Sequence, residues 1–179
     1  TQIATLGLAL MSGEVEALKI MRQYGVEYVL VHFGYFTAQL SGDEGKWIWM
    51  VRIASDNYPE IINESQYYNS TSGKPTSKFF DSLIYKLLFY KEPGSYYFAS
   101  QVNQYMTQLG YPVYQSYPTS QRWMYIGEDS QYPMFEESYI SSNNLVKIYR
   151  VDYTILDMSL EILNTSIYTF DDKTSALIT

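Results

Sequence analysis

The sequence predicts a mixed α/β fold: a single compact domain, residues 1–179, with a small sheet flanked by helices. Three observations lead to this prediction. A chain of 179 residues is about one domain long and can bury a sizeable core. An amphipathic helix and an apolar strand follow one another within residues 12–33, which is half of an α/β unit. Residues 145–156 are rich in β-branched and aromatic side chains, which predicts a second strand.

The first predicted helix begins after Ser12, whose hydroxyl can cap it, and ends at Gly25, which can adopt a left-handed conformation. Glu14 and Glu16 lie in its first turn, where the positive end of the helix dipole favours carboxylates. The strand that follows, residues 26–33, is apolar almost throughout. We therefore expect both of its faces to be buried.

A short helix is predicted after a break at Gly42 and Gly45. Asp43, Lys46 and Met50 are three and four residues apart, which places all three on one face of that helix. This stripe is either a small recognition surface or the solvated edge of a core helix. The other faces carry apolar residues that are expected to lie in the core: Trp47, Ile48, Val51 and Ile53.

The rest of the chain gives less regular patterns. A polar loop is predicted at residues 56–75, and a helix that begins at Pro75 is expected to end at Pro93-Gly94. The remaining predictions are a helix at 97–109, a loop at 111–120, a short strand at 122–126, a turn or short helix at 134–144, and a segment of either type at 159–170.

Composition excludes several classes of function. The net charge is −7 and the basic residues are scattered, so we expect no nucleic-acid partner. The absence of cysteine excludes disulfides, thiol catalysis and cysteine metal sites. No apolar run approaches the ~20 residues of a membrane span. Three Asn-x-Ser/Thr tripeptides, at Asn63, Asn69 and Asn164, are consistent with an exported protein.

Two motifs could be interpreted as catalytic or ligand-binding sites, but a structural interpretation is simpler for both. His32 is the single histidine and lies in the apolar strand without a second His or Cys to share a metal, which favours a structural role over a triad or a metal site. Gly42-x-x-Gly45-Lys46 is not a phosphate loop, because two residues rather than four separate the glycines. Trp47 also stands where a Ser or Thr would hold magnesium.

Carboxylates and tyrosines give no catalytic site either. The adjacent pairs Glu136-Glu137 and Asp171-Asp172 are typical of solvated charge rather than of an acid–base couple. The 20 tyrosines suit a sugar-binding surface, but they suit packing and β-structure equally, and we favour packing. We therefore expect no catalytic residue and no metal ligand in this chain.

Four groups of residues resemble, in order, segments of one family. They are residues 3–7 with the strand 26–31, then Asp43-x-x-Lys46-x-x-x-Met50, then residues 73–76 and 83–90, and finally residues 135–139 and 145–151. The family is the catalytic subunit of oligosaccharyltransferase, with its "DYVLV" strand, "DK" motif, "LxYKxxYY" helix and closing "LVRIYKV" strand. The chain resembles the C-terminal soluble globular domain of that subunit, and its short length resembles archaeal members.

The resemblance implies a function. The family transfers a lipid-linked oligosaccharide to the Asn of Asn-x-Ser/Thr sequons, on the extracytoplasmic face of a membrane that its N-terminal domain spans several times. A member's DK motif lies beside the pocket for the sequon's Ser or Thr. Carried over, Lys46 and Met50 would border the hydroxyl and the methyl group, and Asp43 would orient Lys46. The partners implied are the acceptor peptide and the lipid-linked oligosaccharide.

The family's "WWDYG" motif, which binds the Ser or Thr directly, has no counterpart in this chain, because Trp47 and Trp49 are not followed by Asp-Tyr-Gly. The resemblance places that motif, and a divalent metal (Mn or Mg) held by the membrane domain, outside the chain. We therefore expect these 179 residues alone to be inactive. The alternative interpretation is a non-catalytic extracytoplasmic module that binds glycans or other partners.

Overall fold

The computed structural model describes residues 2–32, 42–90, 125–127, 130–142 and 145–159. It confirms the mixed α/β class, with helices around a three-stranded antiparallel sheet. The helices are α1 (Gln2–Met11), α2 (Glu14–Gln23), α3 (Asp43–Asn57), α4 (Ser77–Phe80) and α5 (Leu83–Phe89), with a 3-10 turn at Glu64–Gln66. The strands are β1 (Tyr28–His32), β2 (Phe135–Ile140) and β3 (Val146–Val151).

The sheet has the order β1–β3–β2, and both pairs of strands are antiparallel. Val29 and Val31 of β1 are buried, whereas Tyr28 and Leu30 between them are exposed. The prediction that both faces of this strand are buried is therefore wrong. The reason is that α3 and α5 pack on one face of an antiparallel sheet whose other face meets solvent, so an apolar run does not here mean double burial.

β2 corrects a second prediction. The prediction of a turn or a short helix at residues 134–144 is wrong for Phe135–Ile140, which is a strand paired with β3, and residues 143–144 lie outside the described residues. Its register shifts between Glu137 and Tyr139, where the ladder is irregular. β3 ends at Val151, earlier than residue 156, and residues 154–159 are helical. Of the strand predicted at 122–126, Ile126 makes one parallel bridge to Phe135.

The beginning of α2 also differs from prediction. Its N-cap is Gly13 in extended conformation, with no side-chain cap. Ser12 instead donates from its hydroxyl to the carbonyl of Leu8 at 2.7 Å, which ends α1. Gly25 lies just after α2 with φ 63°, as predicted for a residue that ends a helix in the left-handed region. The apolar residues before Ser12, for which no element was predicted, form α1.

The helix predicted from Pro75 is two helices, α4 and α5. Ser82 separates them, because its hydroxyl donates to the carbonyl of Phe79 at 2.6 Å and accepts from the backbone N–H of Tyr85 at 3.4 Å. A serine that caps a helix in this way starts a new one. The predicted end at Pro93-Gly94, the predictions at 97–109 and 111–120, and the ambiguous segment 159–170 beyond residue 159 lie outside the described residues.

The core lies between the helices and the inner face of the sheet, and β3 fixes the end of α5 there. Lys147 is buried, and its ammonium donates to the carbonyls of Leu88 and Tyr90 at 2.7 and 2.8 Å. The hydroxyl of Tyr149 donates to the carbonyl of Leu87 at 2.7 Å. These bonds satisfy carbonyls that a helix end leaves free, and the cation suits the negative end of the dipole.

Candidate functional site

α1 and α3 lie side by side, and an open groove of about 360 Å³ runs between their outer faces. Lys46 and Met50 of α3 both line it, so the structure brings these two predicted residues to one place. The other lining residues are Ile3, Leu6 and Gly7 of α1 and Trp49 and Ile53 of α3.

The base of the groove is a close approach of two backbones. A Cβ atom on Gly7 would lie 2.8 Å from the carbonyl oxygen of Met50 and 3.6 Å from the Cβ of Ala54. Ala54 is fully buried at this helix contact, and Ala4 of α1 is fully buried as well. Small residues therefore let α1 approach α3 closely, and this contact fixes the position of Met50 in the groove.

Asp43 makes a different contact from the one that the resemblance implies. Its carboxylate Oδ2 accepts a hydrogen bond from the backbone N–H of His32 at 2.8 Å, which ties the first turn of α3 to the end of β1. Among the described residues, no ion pair joins Asp43 to Lys46. Asp43 thus fixes the start of the helix on which Lys46 lies, and half-buried His32 contributes its backbone there.

The two glycines that were predicted to break the chain differ in their position relative to this helix. Gly42 is the N-cap, buried and extended, with φ −73° and ψ 178°. Gly45 lies inside α3, and its N–H donates to the carbonyl of Gly42 at 3.1 Å. Only Gly42 therefore lies at the break before the helix. The helix runs to Asn57, so it is longer than the predicted short helix.

Lys46 is exposed, and it carries the one charge among the described residues that line the groove. No carboxylate within the described ranges lies in ion-pair distance of its ammonium. The groove therefore offers an ammonium with up to three hydrogen-bond donors beside an apolar surface. That combination suits a ligand with one polar and one apolar part.

Trp49 forms a wall of the groove and is 61% exposed. The guanidinium of Arg52 lies 5.2 Å from the centre of its ring, a cation–π distance. Arg52 in turn donates to Glu64 at 3.0 Å and to the hydroxyl of Tyr68 at 3.1 Å, and that hydroxyl donates to Glu64. Hydrogen bonds to Tyr68 and then Glu64 raise the pKa of Arg52 above its ordinary value.

Sequence reasoning missed Trp49 and assigned Ile53 to the core, although Ile53 is half-buried and lines the groove. A signal for both was present, because positions 46, 49, 50 and 53 have the spacing of one helical stripe. The core predictions for Trp47 and Val51 are confirmed, whereas Ile48 is half-buried and packs against the core. Trp47 is buried and stacks on Phe79 with ring centres 4.0 Å apart, and Val51 is buried as well.

The other candidate groups form no site within the described residues. Glu136 pairs with Arg150 across the sheet at 2.6 Å, which raises the pKa of that guanidinium, while Asp171-Asp172 lies outside the described ranges. No group of three His, Cys, Asp or Glu in the described part is placed to hold a metal. No described helix is both long and apolar enough to cross a membrane.

The chain is similar to large glycosyltransferase subunits over 84% of its length, and no protein-family model matches it. It is 36% identical over 156 residues to the dolichyl-diphosphooligosaccharide–protein glycosyltransferase subunit STT3B of Arabidopsis thaliana. It is 36% identical over 157 residues to STT3B of Oryza sativa, and 32% identical over 150 residues to the subunit stt-3 of Caenorhabditis elegans. The aligned part is 19–20% of each relative, so the chain spans about a fifth of their length.

These relatives agree with the family that the four sequence segments indicate. The chain is therefore homologous to one segment of the STT3 subunits of oligosaccharyltransferase, a glycosyltransferase family.

Proposed function

We propose that this chain is the C-terminal globular domain of an N-glycosylation enzyme, and that the groove between α1 and α3 binds the Ser or Thr of the acceptor sequon. The full enzyme would transfer an oligosaccharide from a lipid carrier to the Asn of Asn-x-Ser/Thr. The observation that carries the proposal is the placement of Lys46 and Met50 in one open groove. The relatives are named as oligosaccharide–protein glycosyltransferase subunits, which supports a protein as the acceptor.

The chemistry of the groove fits a hydroxyl-bearing side chain. The Lys46 ammonium donates to the acceptor hydroxyl or to a peptide carbonyl beside it. Met50 is unbranched and polarisable, so its thioether packs against the methyl group of Thr and adapts to Ser. Asp43 acts on this pair through the backbone, because its bond to His32 holds the first turn of α3 against β1.

Other parts of the proposal concern residues beyond this chain. The Trp-Trp-Asp-Tyr-Gly motif that completes the Ser/Thr pocket, the multi-span membrane domain and its Mn or Mg ion belong to the remainder of the protein. Extracytoplasmic location and archaeal origin are proposals of the same kind. Sequencing the surrounding reading frame tests the membrane domain and the motif, because the frame should encode membrane spans and that motif upstream of Thr1.

Acceptor kinetics in the full-length product of that reading frame test the groove itself. We expect Lys46→Ala and Met50→Ala each to raise the acceptor KM about fivefold, since one good contact contributes on the order of 1 kcal/mol. Lys19→Ala is the matched control, because Lys19 is an exposed lysine that pairs with Glu16 on α2. An acceptor KM that stays unchanged in both groove variants would overturn the proposed role.

A glycan-binding module is the other outcome that the experiment can reveal. Binding of free oligosaccharide that survives Lys46→Ala, with no transfer activity in the full-length protein, would support it. The groove itself favours the peptide, because its lining offers one ammonium and otherwise apolar side chains.

A further inference from the structure

We propose that Trp49 and Ile53 form a second subsite of the same groove, which binds an apolar side chain of the acceptor polypeptide close to its Ser or Thr. The inference rests on the proposed function and adds a preference for acceptor sequence. Trp49, Ile53 and the two α1 residues Ile3 and Leu6 line the groove together with Lys46 and Met50.

The length of the groove sets the distance between the two subsites. A helix rises ~1.5 Å per residue, so the midpoint between Trp49 and Ile53 lies about 4.5 Å further along α3 than the midpoint between Lys46 and Met50. An extended peptide advances ~3.3 Å per residue, so one or two of its residues span that distance. With the Ser or Thr beside Lys46 and Met50, the side chain over Trp49 and Ile53 belongs to a residue one or two positions away.

The chemistry of the lining selects the ligand. Trp49, Leu6 and Ile3 are 61%, 57% and 68% exposed, and large apolar side chains exposed together mark interaction sites. An oligosaccharide needs many hydrogen-bonding partners, and the described lining residues beyond Lys46 offer only apolar side chains and the indole N–H of Trp49. An apolar peptide side chain would bury the exposed apolar surface and needs no further hydrogen-bonding partners in the groove.

The side chain of Trp49 is held in place before a ligand arrives. The Arg52 guanidinium lies over its ring at 5.2 Å, and Arg52 is itself bonded to Glu64 and Tyr68. A ring that is already held loses less conformational freedom on binding, so the contact contributes more to affinity. This network gives an exposed tryptophan a fixed position beside the groove.

Paired acceptor peptides test the subsite in the full-length enzyme. The peptides share one Asn-x-Ser/Thr sequon and differ by Leu or Ser at its middle position or at one of the two positions that follow the Ser or Thr. We expect the wild-type enzyme to prefer Leu at one of these positions by about fivefold in kcat/KM. Trp49→Ala and Ile53→Ser should abolish the preference. Tyr139→Ala, which removes an exposed aromatic ring from β2, should leave it intact.

The outcomes separate this inference from the proposed function. Lys46→Ala should weaken both peptides equally and keep the preference for Leu. An equal loss for both peptides in Trp49→Ala would show that the rest of the protein covers this surface, and it would overturn the subsite. A wild-type enzyme without any preference, or a Trp49→Ala variant altered only towards the lipid-linked oligosaccharide, would also overturn it. Failure of the proposed function appears instead as unchanged kinetics in Lys46→Ala.

Discussion

The two faces of α1 meet different surroundings. The inner face carries Ala4, Leu8 and Met11, which are almost inaccessible to solvent, and α1 contacts α2, α3 and α5. The outer face carries Ile3 and Leu6, which are exposed although both are large and apolar. One helix therefore stabilises the fold on one side and presents an apolar surface on the other.

The polar groups near the two faces of α1 also differ in whether they have partners. At the inner end of α1, the carbonyl of Met11 accepts from the hydroxyl of Tyr67 at 2.9 Å, and the carbonyl of Ser12 accepts from the N–H of Leu83 at 2.7 Å. Glu14, which follows directly, pairs with Lys86 at 2.7 Å. The groove side has one ammonium without an ion-pair partner among the described residues. Satisfied polar groups fix a position, whereas an unpaired donor is free to bind a ligand.

The largest effect on stability is expected from the Glu14–Lys86 pair. Its side chains are only 9% and 11% exposed, so Lys86→Met leaves a carboxylate buried without its partner. We expect a loss of about 3–5 kcal/mol in the free energy of unfolding, measured by urea denaturation. Lys19→Met, which breaks the exposed pair with Glu16, is the control and should cost less than about 1 kcal/mol. Equal losses in both variants would contradict the role of burial in the Glu14–Lys86 pair.

A smaller effect is expected where the two faces meet, at Gly7. Gly7→Ala places a methyl group 2.8 Å from the carbonyl oxygen of Met50, so α1 and α3 must move apart. We expect a loss of about 1–3 kcal/mol in the free energy of unfolding, as for other overpacked contacts. Ile3→Ala, on the outer face of the same helix, should change it by no more than about 0.5 kcal/mol. If Ile3→Ala were the more destabilising change, α1 would not be fixed at its contact with α3.

The smallest effect is a dependence on alkaline pH through Tyr67. Burial raises the pKa of Tyr67 from 10.0 to about 12. Between these values the unfolded chain loses the phenol proton and the folded chain keeps it, so stability falls as pH rises, by at most about 1.4 kcal/mol per pH unit. Below pH 10 the contribution is fully present. Tyr67→Phe should flatten the fall in Tm between pH 10 and 11, and an unchanged slope would contradict the assignment.

Local features of the site could be predicted from the sequence. Lys46 and Met50 are one helical turn apart, so any helix through them places both on one side, whatever surrounds it. Trp49 is three residues after Lys46, and Ile53 is three residues after Met50. The same reasoning would therefore have placed both residues on this side of the helix. α1 carries no charged residue in Gln2–Met11, a pattern typical of a helix with more than one covered face.

Features that depend on residues distant in the sequence could not be predicted. The carboxylate of Asp43 meets the N–H of His32 because β1 packs beside α3, which no helical projection contains. β2 carries two adjacent glutamates and lacks clear alternation, so its pairing with β3 decides its conformation. The burial of β1 on one face depends in the same way on which side of the sheet the helices cover.

The close approach at Gly7 determines how the groove can change shape. Its base is main chain, the backbone of Gly7 against the carbonyl of Met50, and a peptide group has no rotamers to exchange. Its rim consists of Lys46, Met50 and Ile53, whose long or branched side chains can change rotamer. The groove therefore keeps a constant depth while its width can adjust to a ligand. In the proposed acceptor site, this adjustment would let one groove hold both Ser and Thr, which differ by a methyl group.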